Sequence, residues 1–406
     1  MSPADDAASA PPTPGPRVVT TALGITQILG FGSTYYLPAV LAKPIAADTG
    51  WPLSLVVGAF SFGLLVSGLV SPHVGRTIDR FGGRPVLAAS SCLIAAGQAT
   101  LGLAGALPVY VLGWLILGAG MGAGLYDAAF ATLGRLYGEA ARRAIIGVTL
   151  WGGLASTVCW PLSAYLVETL GWRGACLVYA AIQLTVSLPI HWLLVPRRVP
   201  VVEHARDTQA DEVRIDRWRR RALVLLGGGL VIGSVITSVI AVHLLTLLQA
   251  RGLDLATAVA LGALVGPAQV ASRMVEMTVG IRLHPLWTMT ASVVLMTLGL
   301  LLLAVIPQAG IALVLYGAGN GVYSIARGTV PLALFGRRGY GALIGRLAMP
   351  ALLAAALSPS LGAYLIEIGG PGALLGVLVA ASALNVVLVL ALRVTAKRIA
   401  PVEVSP

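Results

Sequence analysis

Apolar segments of about twenty residues recur along the entire chain, and this feature constrains its fold more than any other. An α-helix rises about 1.5 Å per residue, so about twenty apolar residues cross the roughly 30 Å hydrocarbon layer of a bilayer. Breaks rich in Gly, Pro and Arg separate twelve such segments. Their approximate extents are 18–41, 52–75, 85–105, 108–134, 144–168, 174–196, 222–249, 255–280, 287–306, 310–335, 345–367 and 371–393. The sequence therefore predicts an all-α membrane protein with twelve transmembrane helices.

The composition supports a lipid environment. Hydrophobic residues make up 57% of the chain and charged residues only 11%, which fits no soluble globular class. The 49 glycines and 24 prolines would be excessive in soluble helices but are tolerated in membrane helices, whose neighbours satisfy the freed backbone groups. The net charge of +11 does not indicate nucleic-acid binding, because the basic residues are dispersed over short loops. We expect no nucleic-acid partner.

The segment 197–221 is the only long hydrophilic stretch in the interior of the sequence, and it divides the chain in two. The opening segment is polar, rich in Pro and Ala, and lacks the layout of a secretory signal. The predicted regions are a disordered cytoplasmic tail (1–16), an N-terminal six-helix bundle (17–196), a cytoplasmic linker (197–221), a C-terminal six-helix bundle (222–399) and a tail (400–406).

The distribution of basic residues predicts the orientation. With the N-terminus in the cytoplasm, 22 of the 27 Lys and Arg residues fall on the cytoplasmic side, three fall outside and two lie within spans. This distribution obeys the positive-inside rule. We therefore expect a multi-pass protein of a bacterial inner membrane, with both termini in the cytoplasm.

The two halves of the chain resemble each other. Three short matches fall in register: Gly124–Asp127 with Gly321–Ser324 at an offset of 197 residues, Ala164–Glu168 with Ala363–Glu367 at 199, and Gly50 with Gly252 at 202. Transporters are commonly built from repeats, with the substrate site at the interface between them. The matches therefore favour a duplicated bundle.

A loop between the second and third spans carries Gly75, Asp79, Arg80, Gly82 and Arg84. Its glycines let two helices turn tightly at the membrane surface, and its charged groups can contact helix ends. The loop resembles the signature G-x-x-x-D-R-x-G-x-R of the major facilitator superfamily, in the position where that family carries it. The resemblance implies two pseudo-symmetric six-helix bundles and a conformational gate formed by these five residues. Alternatively, the arginines only satisfy the positive-inside rule.

Other segments loosely resemble the monocarboxylate and oxalate/formate carriers of this superfamily. They are the run from Arg142 to Gly174, which looks like the fourth loop and fifth span of those carriers, and His243 with the segment 249–252. Drug/proton antiporters usually carry Gly-Pro followed by Gly-Gly in span five, whereas here Trp160 precedes Pro161. The resemblance therefore implies a monocarboxylate-like substrate more than a drug.

Span ten carries a charged residue on a polar helix face. A charge at mid-membrane costs a few kcal/mol, so each such residue indicates a functional site. Tyr316, Asn320, Tyr323 and Arg327 follow spacings of 4, 3 and 4 and share one face. The planar fork of arginine suits a carboxylate. We predict that Arg327, Tyr323 and Asn320 bind substrate; the alternative for Arg327 is a permanent structural ion pair.

Asp127 in span four is predicted to couple transport to protons. The resemblance implies that spans one, four, seven and ten line the central cavity, where Asp127 and Arg327 can face each other. A carboxylate that exchanges its arginine partner for a proton when substrate arrives would act as a symport device. A plain salt bridge joining the halves is an equal alternative. Gln27 and Tyr35 form a modest polar face on span one that can complete the substrate site.

Span eight carries Arg273 and Glu276, three residues apart and able to pair on one helix face. The resemblance to monocarboxylate carriers implies that Arg273 contacts substrate, although those carriers place an acid where Gln269 stands here. We predict a substrate-binding role for Arg273 and a proton-coupling role for Glu276. An alternative repeat register makes the two residues a structural counterpart of the loop that contains Asp79.

The sequence thus predicts a secondary transporter that moves a small organic anion together with a proton by alternating access. We expect a monomer without cofactor or metal, since Cys92, Cys159 and Cys176 show no CxxC or Cys/His spacing. The alternative within transport is an exporter of a toxic or drug-like compound. A membrane receptor or enzyme is disfavoured because the sequence has no HExxH, nucleophile-elbow or P-loop motif.

Overall fold

The computed structural model describes residues 14–197, 217–306 and 308–398, which fold into helices and contain no strand. Most of the predicted tails and linker, residues 1–13, 198–216 and 399–406, lie outside the described residues. The α-helices are α1 (Pro16–Gly32), α2 (Leu37–Thr49), α3 (Leu53–Phe81), α4 (Gly83–Gly102), α5 (Leu107–Gly124), α6 (Tyr126–Tyr137), α7 (Ala141–Gly152), α8 (Ala155–Ile182), α9 (Leu188–Leu194), α10 (Arg217–Gln249), α11 (Leu255–Gly262), α12 (Val265–Thr278), α13 (Pro285–Val305), α14 (Ala309–Phe335) and α15 (Tyr340–Ala396).

Over the described residues, nine helical stretches are long and apolar enough to cross a membrane. The two longest, Ala141–Leu194 with 54 residues and Tyr340–Ala396 with 57, exceed the length that one crossing needs. Each turns at a glycine in a conformation that residues with a side chain avoid, Gly171 (φ 70°, ψ 172°) and Gly370 (φ 74°, ψ 172°). Each stretch therefore contains two apolar helical arms. The count of twelve spans stays a prediction.

The same glycines support the repeat. Gly171 and Gly370 occupy matching places in the two halves and share nearly identical backbone angles. Gly50 and Gly252, matched from the sequence, likewise both have positive φ, 72° and 84°. Each of these two precedes the next helix by three residues. A conformation that strongly favours glycine thus recurs at equivalent positions, as a duplicated bundle requires.

Each half has its own apolar core. In the N-terminal half, Tyr110, Trp114 and Tyr179 are buried among α3, α4, α5 and α8. In the C-terminal half, Met289 and Leu226 lie in a core that α10, α13, α14 and α15 share. Lipid tails are as apolar as these side chains, so close packing rather than water exclusion holds helices together in a membrane.

Among the described residues, four helical stretches are interrupted near their middle. Side chains donate hydrogen bonds to some of the backbone carbonyls that these interruptions leave without a helical partner. The interruptions are at residues 33–36 between α1 and α2, at 125 between α5 and α6, at 153–154 between α7 and α8, and at 263–264 between α11 and α12. The Gln27 amide donates to the Gly124 carbonyl at 2.8 Å, and the Gln98 amide donates to the Ser33 carbonyl. The prediction of one continuous span over 18–41 was therefore wrong in detail. Broken helices in transporters frequently form ion and substrate sites.

The halves contact each other at one end of the bundle. We call this the basic end, because Arg135, Arg142 and Arg337 lie there together with residues 75–84, where α3 ends and α4 begins. At this end α3 and α15 approach so closely that a side chain at Gly75 would collide with the Gly341 carbonyl. Among the described residues, every side-chain hydrogen bond between the halves lies at the basic end or at mid-depth. Side-chain hydrogen bonds therefore join the halves from the basic end to mid-depth, and the described residues show none between mid-depth and the opposite end.

An exposed polar cluster ties α2 to α8 at the opposite end. The Asp48 carboxylate accepts a hydrogen bond from the Trp172 indole at 2.9 Å and pairs with Arg173. These two interactions lower the pKa of Asp48, the bond from Trp172 contributing most. Both members of the ion pair are about half exposed, so solvent screens their attraction.

Candidate functional site

An ion pair between the two halves occupies the centre of the molecule. The Arg327 guanidinium, on α14, donates from Nη2 to both carboxylate oxygens of Asp127 at 2.6 Å. After the break at Leu125, α6 begins at Tyr126, one residue before Asp127, so this carboxylate lies in the first turn of a helix, where negative charge is favoured. Among the described residues, Nε and Nη1 of Arg327 have no hydrogen-bond partner. The arginine therefore retains donors for another anion.

A small cavity of about 10 Å³ adjoins this ion pair. Such a volume holds about one water molecule, far less than a substrate. Tyr323 lines it, and its hydroxyl donates to the Leu230 carbonyl at 2.8 Å. The other lining residues are Leu230, Ser234, Ile344, Leu347, Ala348 and Ala351. The space beside the ion pair is thus too small for a substrate in this state.

Arg273, on α12, is a second buried cation, with 4% of its surface exposed. It donates to the carbonyls of Thr149 at 2.9 Å and Gly321 at 3.2 Å, and to the Gln269 side-chain oxygen at 3.4 Å. All three acceptors are neutral. Within the described parts of the chain, no carboxylate pairs with Arg273. A buried cation without a counter-ion is costly, so the site favours an incoming anion.

Tyr126 connects Arg273 to the central ion pair. Its hydroxyl donates to the Thr149 carbonyl at 3.3 Å, the same carbonyl that accepts from Arg273. It is also the neighbour of Asp127 in the chain. Two cations and one carboxylate therefore gather around this tyrosine, and their net charge is +1.

Glu276 lies on the same helix as Arg273 but pairs with the other half of the molecule. Arg142 Nη2 donates to the Glu276 carboxylate at 2.9 Å and to the Gly280 carbonyl at 2.9 Å. Thr288 also donates to Glu276, at 2.8 Å. Arg142 therefore reaches the carbonyl end of α12, where a cation is favoured. Desolvation, and next the nearby Arg142, lower the pKa of His284 at this junction.

The segment 75–84 was predicted as a loop, but it is helical except at Gly82, which separates α3 from α4; it lies where the halves meet at the basic end. The Asp79 carboxylate accepts from the backbone amides of Gly341 at 3.0 Å and Ala342 at 2.7 Å, at the start of α15. Gly82 ends α3 with φ 89°. The guanidinium of Arg80 lies 5.0 Å from the Phe81 ring, and that of Arg84 lies 5.1 Å from the Trp192 ring.

Three remaining predicted substrate residues are engaged elsewhere. Gln27 is buried and bonded to the Gly124 carbonyl. Tyr35 packs edge-on against Phe60, with ring centres 5.5 Å apart. The Asn320 side-chain oxygen accepts from Thr237 at 3.3 Å. The structure thus brings Asp127, Arg327 and Tyr323 together, and Arg273 is joined to them through Tyr126 and Thr149. Gln27, Tyr35 and Asn320 instead bond to or pack against other residues.

Three residues at the site, Phe31, Tyr126 and Thr149, were not among those predicted from the sequence. The Phe31 and Tyr126 rings lie 4.6 Å apart, and Tyr126 stacks on Phe130 at 5.3 Å. One signal was available, since Phe31 lies four residues from both Gln27 and Tyr35 and so shares their helix face. Thr149 acts through its backbone carbonyl, which a residue type does not reveal.

Comparisons with known proteins agree with this architecture. A family model described as Major Facilitator Superfamily matches residues 23–282. The transcription regulatory protein OpdE of Pseudomonas aeruginosa is 31% identical over 168 residues, which are 40% of this chain and 40% of that protein. Human monocarboxylate transporter 11 is 34% identical over 158 residues, 38% of this chain and 31% of that protein. The chain thus matches less than half the length of these relatives.

The fold is similar to that of a solved transporter. The crystal structure of the human organic anion transporter MFSD10 (TETRAN) superimposes with a TM-score of 0.75 at 18% sequence identity, covering 93% of this chain and 100% of that one. At this identity the similarity shows the fold alone. The family match covers well over half of the chain. The protein is a multi-pass membrane protein that belongs to the major facilitator superfamily, a family of transporters rather than enzymes.

Proposed function

We propose that the protein moves a small organic monoanion of the monocarboxylate type together with a proton. The observation that carries this proposal is the buried Arg273, which donates only to neutral acceptors among the described residues. A carboxylate bound there would supply the missing negative charge. The net charge of +1 at the centre favours one negative charge over two. The name of human monocarboxylate transporter 11 agrees with this substrate class.

The Asp127–Arg327 pair supports proton coupling. A substrate carboxylate that binds at Arg273 can also reach the free Nε and Nη1 donors of Arg327, and its negative charge then competes with that of Asp127 for this cation. The displaced Asp127 then lies in a poorly solvated site without its cation, where its neutral form is favoured, and it takes up a proton. The sequence also predicts proton coupling for Glu276. The bonds of Glu276 to Arg142 and Thr288 favour a structural role at the basic end instead.

The contacts between the halves support an alternating-access cycle. We propose twelve spans in two bundles, 17–196 and 222–399, with both termini and the basic end in the cytoplasm of a bacterium. In this arrangement the structure represents a state closed toward the cytoplasm. Asp79, Gly75 and Gly341 hold that closure on one side of the basic end, and Arg142 with Glu276 holds it on the other.

Uptake into proteoliposomes tests the function. We expect radiolabelled lactate or pyruvate to accumulate when the external solution is acidic, and oxalate, a dianion, to accumulate less. Arg327→Lys retains the charge but loses the planar fork, so it should transport more slowly at normal expression. If no acid accumulates while loaded vesicles extrude a neutral drug-like solute, the exporter is correct and the carboxylate proposal is wrong.

A further inference from the structure

An apolar crevice lies between α2 and α8, on the far side of mid-depth from the basic end. It is widely open on one side, and its volume is about 500 Å³. Its lining residues include Ala39, Val40, Thr157, Trp160, Pro161 and Ala164. No charged side chain lines it. The crevice is therefore suited to the apolar body of a ligand.

Arg273 lies against the helical stretch that continues into the wall of the crevice. A side chain at Gly153 would collide with Nη1 of Arg273, so the guanidinium lies directly against the break between α7 and α8. Ser156, three residues further along, already lines the crevice. About one helical turn, roughly 5 Å along the helix axis, therefore separates the residue that Arg273 contacts from the wall of the crevice.

Aromatic rings extend from the crevice to the central site. The Trp160 ring, at the crevice, lies 6.1 Å from that of Tyr36 in an edge-on arrangement. The Tyr36 ring lies 6.2 Å from that of Phe31, which in turn lies 4.6 Å from the ring of Tyr126. Tyr36 is also close enough to Arg273 to interact with its charge. Such rings favour edge-on and offset contacts with a further aromatic ring.

We propose that the transported anion is an aromatic monocarboxylate, with its ring in the crevice between α2 and α8 and its carboxylate on Arg273. This inference rests on the proposed function and names its substrate class. A dianion fits poorly, because the net charge at the centre is +1. A sugar acid fits less well than an aromatic acid, because it offers little apolar surface to Val40, Trp160 and Pro161. Benzoate and phenylacetate have the required combination of one negative charge and one apolar ring.

Binding measurements on the purified full-length protein test the inference. Thermal stabilisation is measured as a function of ligand concentration with benzoate, acetate and the neutral benzamide as probes. We expect benzoate to bind at least tenfold more tightly than acetate, and benzamide to bind more weakly than benzoate. Equal affinities for acetate and benzoate would overturn the inference while leaving the proposed function standing. Absence of binding by any carboxylate would remove both.

Two variants locate the ring. Trp160 is 47% exposed, so Trp160→Ala should fold, and it should lower the benzoate-to-acetate affinity ratio by at least fivefold. Ala164→Phe fills the crevice and should lower the same ratio. Trp287→Ala, a matched control at an exposed tryptophan of the other half, should leave the ratio unchanged. If both crevice variants keep the wild-type ratio, the crevice holds something else, such as a lipid chain, and the inference is wrong.

Discussion

Arg273→Gln separates a binding role of this arginine from a structural one. Glutamine retains a polar side chain of moderate length but removes the charge. Removing one partner of a buried charge pair costs about 2–5 kcal/mol of binding free energy. Since about 1.4 kcal/mol corresponds to a tenfold change in affinity, the variant should bind a carboxylate roughly 30- to 4,000-fold more weakly.

The expected effect on folding is small, because two changes oppose each other. The substitution removes three hydrogen bonds from a charged donor, each worth about 1.5–3 kcal/mol. It also removes the desolvation cost of a buried ion, which is several kcal/mol. With no carboxylate partner among the described residues to leave behind, the two terms nearly cancel. We therefore expect a change in Tm of no more than about 2 °C.

Tryptophan fluorescence during heating measures both quantities, since the chain contains eight tryptophans. Wild-type protein should gain stability with added benzoate, and Arg273→Gln should gain none at the same concentrations. Arg282→Gln, which removes an exposed arginine, is the matched control and should behave like wild type. A variant that loses many degrees of Tm yet is still stabilised by benzoate would refute the reasoning and make Arg273 a structural residue.

Three further predictions concern coupling, gating and acid stability. Asn at position 127 cannot take up a proton, so in Asp127→Asn a pH gradient should no longer drive substrate accumulation in vesicles, while exchange of substrate across the vesicle membrane should continue. Substrate accumulation at the wild-type level would exclude Asp127 as the coupling group. In Gly341→Ala the new methyl group collides with the Gly75 carbonyl, which costs about 1–3 kcal/mol and should open the basic end. A cysteine placed at buried Ser71 should then react faster with a thiol reagent, and an unchanged reaction rate would count against the gate. The lowered pKa of Asp48 adds stability that is fully present above the unfolded pKa of about 3.9 and is lost as pH falls through the lower folded pKa. Asp48→Asn should therefore lower Tm slightly at pH 7, and the difference from wild type should shrink as the solution is acidified below about pH 3.9; a difference that grows on acidification would contradict this.

The sequence was informative wherever local pattern decides structure. The length of the apolar segments predicted membrane helices, and the fold class is confirmed. The match of Gly50 with Gly252 located two positions that share positive φ, because only glycine adopts that conformation easily. The resemblance to the superfamily implied that Asp127 and Arg327 can face each other across the cavity, and the structure shows the ion pair. Whether that pair couples transport to protons stays a proposal.

The sequence was uninformative wherever distant helices decide structure. Helical spacing shows that Arg273 and Glu276 share a face, but not that Arg142, 134 residues from Glu276, is the partner of that acid. The break at residues 33–36 contains neither proline nor glycine. Its backbone is bonded by Gln98, and its position therefore depends on tertiary contacts that a local pattern does not contain.

The four mid-depth interruptions are distributed unevenly, and this has a mechanical consequence. Three of them fall in the N-terminal half, whereas in the C-terminal half α10 and α14 run without a break for 33 and 27 residues. An unbroken helix transmits force along its length, whereas a broken one can bend at the gap. The C-terminal half should therefore serve as the stiff frame of the cycle. The N-terminal half should flex at mid-depth, so that its helix segments on the two sides of the interruptions can move at different times.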